Sequence, residues 1–135
     1  MKKIYTILLF FVVLSLSAQS KKSFVKSVQA VSKKVVIQLS GTSQVNEWQE
    51  DFIRITTTVQ LTNFSEDILK RLFSVGRYSL VSVPKEGVLY LSMPKVLRPV
   101  SIKGIYLNEI LNYEIFVPRA TSVTVERVSQ PSDLN

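Results

Sequence analysis

Residues 51 to 61 read Asp-Phe-Ile-Arg-Ile-Thr-Thr-Thr-Val-Gln-Leu, and this stretch does most to limit the fold. Ile53, Ile55, Thr57, Val59 and Leu61 fall on one side of an extended chain, and Arg54, Thr56, Thr58 and Gln60 on the other. A period of two is the repeat of a β-strand, so the pattern predicts a strand with one buried and one wetted face. A strand of that kind needs partners, and the neighbouring sequence supplies them. Phe24–Val31, Lys34–Leu39, Tyr78–Val83, Val88–Met93, Val100–Ile105, Leu111–Val117 and Ser122–Val128 are all rich in Val, Ile, Thr, Tyr and Phe, the residues that pack well on a pleated surface. Gly41-Thr42-Ser43 reads as a break between strands. Pro84-Lys85-Glu86-Gly87 reads as the corner of a β-hairpin, and Pro94 and Pro99 bracket a loop.

One segment has helical spacing instead. Phe64, Ile68, Leu69, Leu72 and Phe73 share a stripe at positions three and four apart. Asn63 is placed to cap its start with Glu66 at the third helical position, and Gly76 to stop it. The expected fold class is therefore mainly β, an antiparallel β-sandwich or a short β-solenoid-like sheet stack, with one short amphipathic helix at about residues 64–74.

The N-terminus has a different character. Met1-Lys2-Lys3 precedes an apolar run from Ile4 to Leu14, and Ser15-Leu16-Ser17-Ala18 ends with small residues suited to a signal peptidase cut. The apolar run is short of the ~20 residues of a permanent membrane helix. The expected organisation is a signal peptide at 1–18, a single β-rich domain at 19–129 and a flexible tail at 130–135, exported to the periplasm or cell surface of a Gram-negative bacterium. No permanent membrane span is expected after cleavage.

The chain contains no His and no Cys. That removes the commonest general base, the commonest transition-metal ligand and the thiol nucleophile, so no catalytic residue, cofactor or metal is expected and the protein is not expected to be an enzyme. Glu47, Glu50 and Asp51 cluster, but without the oxygen-rich spacing of a calcium loop. Ser23-Phe24-Val25-Lys26 has the letters of a Ser-x-x-Lys motif, yet on a strand residues three apart face opposite sides. Lys21, Lys22, Lys26, Lys33 and Lys34 precede the first acidic residue, Glu47, and form a basic stretch that can face an anionic surface or simply water. Nucleic acid is not an expected partner, because the lysines are separated from the aromatics and export removes the chain from it. Trp48, Tyr78, Tyr90, Tyr106 and Tyr113 are the aromatics to watch, as sugar-stacking surfaces or as half-buried core.

Trp48-Gln49-Glu50-Asp51-Phe52-Ile53-Arg54-Ile55, Leu69-Lys70-Arg71-Leu72 through Gly76-Arg77-Tyr78, and Tyr113-Glu114-Ile115-Phe116-Val117-Pro118 together resemble the putative adhesin (head GIN-type) domains of bacterial envelope proteins, over about residues 28–126. The resemblance implies an exported β-protein without established catalytic activity. Those domains usually run on past the Val-Pro corner into Gly- and Asn-rich repeats. Here 17 residues follow Pro118, so a compact module is expected and not a long stacked shaft. The resemblance and the basic stretch single out Trp48, Arg54, Arg77, Tyr78, Lys33 and Lys34 as the candidate contact surface. The expected partner is an envelope protein or a glycan. A periplasmic accessory or signalling-linked module that binds a membrane protein through a sheet edge is the alternative. Oligomeric state is not legible.

Overall fold

The structure, a computed structural model, describes residues 20–130. The expected leader lies outside them, as does all but the first residue of the expected tail. Ten strands, one α-helix and one 3-10 turn form in the order β1 Ser20–Gln29, β2 Lys34–Gln38, β3 Thr42–Trp48, β4 Phe52–Leu61, α1 Glu66–Ser74, β5 Val81–Lys85, β6 Val88–Ser92, the 3-10 turn Pro94–Leu97, β7 Ser101–Ile102, β8 Ile105–Tyr106, β9 Glu109–Pro118 and β10 Ser122–Val125. The protein is mainly β, as its alternation predicts.

The strands make two four-stranded sheets, β1-β4-β9-β3 and β10-β2-β6-β5, with β7 and β8 as a separate small hairpin. Ile53, Ile55, Val59 and Leu61 of β4 and Leu111, Tyr113, Ile115 and Val117 of β9 turn one face of the first sheet inward. Val35, Ile37, Leu89 and Leu91 do the same for the second, and all of them join one hydrophobic cluster. The architecture is a sandwich, each sheet hiding one face against the other.

Its sheets are mixed. β1–β4, β4–β9, β5–β6 and β7–β8 pair antiparallel as expected, but β2–β6, β10–β2 and β3–β9 pair parallel. Antiparallel neighbours such as β5–β6 are joined by a turn that the sequence advertises. Parallel neighbours need a long crossover, so their meeting is decided by distant parts of the chain.

Several local expectations shift. β3 begins at Thr42, inside the predicted break Gly41-Thr42-Ser43, so only Gly41 of that triplet lies outside a strand, and the polar run Thr42–Trp48 is an edge strand. The β5–β6 hairpin turns on Glu86-Gly87, both at positive φ (51° and 76°), so its corner is Lys85–Val88, one residue beyond the predicted Pro84–Gly87. Two left-handed residues match the twist of the flanking strands, and Pro84 sits in the edge strand β5, where its missing N–H is tolerated. Val100–Ile105 folds into the β7–β8 hairpin around Lys103-Gly104. The helix begins at Glu66 after Ser65, and neither Ser65 nor Asn63 caps it with a side chain. Leu69 and Leu72 are buried in the core, with Phe64, Ile68 and Phe73 packed against it, as the stripe requires. Among the described residues no helix is long and apolar enough to cross a membrane.

Candidate functional site

The helix ends in a way that determines where the chemistry sits. Gly76, at φ +75°, lets its N–H reach Phe73 O (3.0 Å) and lets Arg77 N–H reach Leu72 O (3.1 Å). This paired closure reverses the chain in two residues and drives Arg77 and Tyr78 beneath the helix. They are 6% and 2% exposed, so these two members of the predicted contact surface are core residues.

A buried cation needs an anion, and β9 supplies one. Glu109 has the same strand parity as Leu111, Tyr113, Ile115 and Val117 and therefore points inward. Arg77 grips it bidentately, Nε to Oε2 at 3.0 Å and Nη2 to Oε1 at 2.6 Å. Tyr78 O–H donates to Oε2 as well. The remaining guanidinium hydrogens go to three carbonyls: Nη1 to Lys95 O and Arg98 O, each 3.0 Å, and Nη2 to Val96 O at 3.3 Å. A guanidinium has five N–H donors, and all five are engaged. Burial alone would lower the Arg77 pKa, but the hydrogen bonds and charge of Glu109 outweigh it and hold it raised. Arg77 is thus a strut that ties the helix end, the 3-10 turn and the start of β9 together.

A second strut stands nearby. Asn63 donates from Nδ2 to Tyr106 O at 2.8 Å and accepts from Asn108 N–H at Oδ1 at 3.0 Å. Its side chain ties Tyr106 of β8 to Asn108, the residue before β9, and does not cap the helix. Beside Arg77 lies a cavity of about 510 Å³, its lining including Arg77, Arg98, Tyr106, Asn108, Glu109 and Gln130.

The outward face of the first sheet is the other candidate surface. Across it run the rows Ser27–Arg54–Phe116–Asn46, Val25–Thr56–Glu114–Gln44, Ser23–Thr58–Asn112–Thr42 and Lys21–Gln60–Ile110. Its hydroxyl and amide groups are interspersed with Lys21, Val25, Ile110 and Glu114, and the Ser23 and Thr58 hydroxyls are in contact at 2.9 Å. At one end Trp48 packs on Phe52 and Phe116, with ring centroids 4.8 and 5.3 Å away. The Arg54 guanidinium lies 4.9 Å from the Trp48 ring centre and 5.0 Å from that of Phe116. The Arg54 Nε is buried with no hydrogen-bond partner, and Trp48 Nε1 is spent on Phe52 O at 2.8 Å. The structure therefore unites Trp48 and Arg54. Lys33 and Lys34 lie exposed at the start of β2 in the opposite sheet, while Lys21, Lys22 and Lys26 stay on β1. The basic stretch is dispersed over both sheets.

Of the other watched aromatics, Tyr90 is half-buried, Tyr106 is 60% exposed and Tyr113 is 2% exposed. Tyr113 shares an inward row with Thr57 and Ser43, and the three hydroxyls find no hydrogen-bond partner of proper geometry. Burial raises the pKa of Tyr113, nearby Ser40 offsets part of this and the Glu109 charge adds to it. Tyr78 is raised by burial first and by Glu109 second. Both phenols keep their proton in the folded state above the ordinary value of 10.0 at which they ionise when unfolded. Their contribution to stability is complete below pH 10 and falls as pH rises beyond it. Alkaline unfolding monitored by circular dichroism should therefore begin above about pH 10, with a shallower slope in Tyr78→Phe. That variant loses the bond to Glu109 and about 1.5–3 kcal/mol at neutral pH. An unchanged alkaline slope in Tyr78→Phe would refute this account.

Glu109, Asn63 in its bridging role, Phe116 and Arg98 are absent from the sequence-derived site. Glu109 left a trace: carrying the alternation of Leu111–Val117 back by two residues places a carboxylate in the inward phase.

The fold and the site together define a mainly β protein of two mixed sheets, held at one end by a buried arginine–glutamate–tyrosine cluster. No family model matches the chain and no curated protein does, so its likeness to the head GIN-type domains stays a resemblance. Among solved structures, the crystal structure of a putative cell adhesion protein from Clostridium sporogenes is similar, with 14% identity, a TM-score of 0.42, and coverage of 78% of this chain and 46% of that one. The chain thus spans less than half the length of that protein, and a likeness at this score carries no argument about function.

Proposed function

We propose that the chain is an exported, non-enzymatic module of the cell envelope, adhesin-like in role, which contacts glycans through the outward face of its first sheet. The observation that supports this reading is the open field of Thr, Ser, Asn and Gln side chains on β1, β4, β9 and β3, ending in the Trp48–Arg54–Phe116 cluster. The short Ser, Thr and Asn side chains of this field lose less rotamer entropy than long ones when they meet sugar hydroxyls. Arg54, stacked on two rings, offers an oriented donor edge. Export rests on the leader-like residues 1–18 and is tested by sequencing the N-terminus of the protein recovered from the envelope.

A glycan array probed with the full chain should show selective retention. Trp48→Ala, or the milder surface change Asn112→Ala, should weaken that retention by about tenfold, the effect of losing roughly 1.4 kcal/mol of contact. A flat array would reject the glycan reading.

A second reading, pairing of a sheet edge with a protein partner, is favoured by β3. The other edges are guarded. β1 carries Lys21, Lys22 and Lys26, with Phe73 of the helix packed on its Phe24 at 5.4 Å. β5 carries Pro84, and β10 has only four residues. β3 has seven residues with neither Lys nor Pro, an edge left open to strand addition. A flat array combined with one partner crosslinked to β3 would favour this reading.

A further inference from the structure

The cavity beside Arg77 is not used by the sheet-face reading, and hydrogen bonds hold the backbone of its walls. Arg98 has both backbone groups engaged: its N–H donates to Lys95 O at 3.2 Å and its carbonyl accepts from Arg77 at 3.0 Å. Across the cavity Asn63 fixes the carbonyl of Tyr106 and the N–H of Asn108. Between these, Leu107 N–H bonds Val100 O at 3.1 Å, closing the hairpin onto the loop before it. The backbone of the mouth is therefore held by the buried Arg77 and the exposed Asn63 side chains, which lowers the entropic cost of binding. At about 510 Å³ the cavity is within the size range of small-molecule sites, roughly 300–1,000 Å³.

The chemistry of the lining narrows the ligand. Arg77 and Glu109 neutralise one another, and Arg77 has no donor left to give. Among the described residues the ion pairs are Lys70–Glu66 and Arg77–Glu109, so the exposed Arg98 side chain brings a positive charge that no described carboxylate pairs. Its fork matches a carboxylate in two parallel hydrogen bonds. Tyr106 is 60% exposed with its backbone pinned, an aromatic ring available to stack on a flat apolar face. The exposed Asn108 side chain adds an amide donor and acceptor at the mouth. One anionic group, one stackable ring face and several hydroxyls is the description of an acidic sugar.

We propose that this cavity binds a carboxylate-bearing pyranose, with Arg98 pairing the carboxylate, Tyr106 stacking on the ring and Asn108 meeting a hydroxyl. The site is independent of the outward sheet face, so each reading stands or falls by itself.

Isothermal titration of the full chain with D-glucuronate, D-galacturonate, N-acetylneuraminate, D-glucose and acetate tests it. At least one of the three acidic sugars should bind, with D-glucose and acetate each about tenfold weaker or worse, since each lacks one of the two recognition elements. Arg98→Gln should lower the affinity for the acidic sugar by about tenfold while leaving the weak glucose signal alone, and Tyr106→Ala should weaken both. Both side chains are exposed, so the variants should melt with the parent chain, and Ser82→Ala, exposed on the edge strand β5 away from both proposed surfaces, should bind as the parent does. Distinguishing hexuronates from N-acetylneuraminate identifies which acidic sugar fits. The proposal is overturned if no acidic sugar binds at tens of millimolar, if glucose or acetate binds as tightly, or if Arg98→Gln and Tyr106→Ala bind like the parent.

Discussion

Replacing Arg77 by methionine is expected to lower the unfolding free energy by about 3–5 kcal/mol, the cost of leaving a buried carboxylate without its counter-ion. In a domain of this size the melting temperature should fall by roughly 10–25 °C. Glu109 is 8% exposed and would keep only the Tyr78 hydroxyl as a donor among its three present bonds. The carbonyls of Lys95, Val96 and Arg98 would lose their shared donor at the same time. The double change Arg77→Met with Glu109→Leu removes the orphaned charge and should recover a large part of the loss, though not the three carbonyl bonds. The diagnostic result is this inversion, a double variant more stable than Arg77→Met alone, read by thermal and chemical denaturation. An Arg77→Met protein that melts with the parent would show that the cluster does not hold this end of the sandwich.

Gly41→Ala should be nearly as damaging for a steric reason. Gly41 links β2 in one sheet to β3 in the other and has φ +105°, a backbone conformation costly for any L side chain. A Cβ there would lie inside van der Waals contact of the Leu111 carbonyl oxygen and 3.0 Å from the Leu111 Cβ. The obstacle is backbone of the central strand β9, which cannot swing aside. Backbone strain of about 1–3 kcal/mol and overpacking of about 1–3 kcal/mol add to an expected loss of about 3 kcal/mol or more. Gly87→Ala is the control, because Gly87 also has positive φ (+76°) but nothing within 4 Å of its would-be Cβ. It should lose only about 1–2 kcal/mol from the left-handed conformation. Equal losses at the two sites in urea unfolding would remove the clash from the explanation.

Much of the fold was legible within single segments. The alternation of residues 53–61 gave both the strand and its buried face, and the stripe of Ile68, Leu69, Leu72 and Phe73 gave the helix and its packing side. Gly76 marked the helix end correctly. The site was less legible. Of the candidate contact residues Trp48 and Arg54 come together, whereas Arg77 belongs to the core and Tyr78 takes the core alternative that its sequence also offers. Asn63 reads as a helix start because capping is the local use of such a residue, yet it bonds Tyr106 and Asn108, more than forty positions away. The Glu109 partner of Arg77 is likewise 32 residues distant.

What the sequence alone determined, then, is what a chain segment decides within its own length: periodicity of two for the strands, periodicity near 3.6 for the helix, and positive φ at turns that glycine permits. Only the tertiary structure decided the parallel pairings β2–β6, β10–β2 and β3–β9, the buried Arg77–Glu109–Tyr78 cluster and the cavity it supports. The physical reason is range. A strand's alternation is a property of its own backbone geometry, but which strand lies beside it, and which carboxylate meets a buried guanidinium, depends on burying many distant apolar faces at once, and no local pattern records that sum.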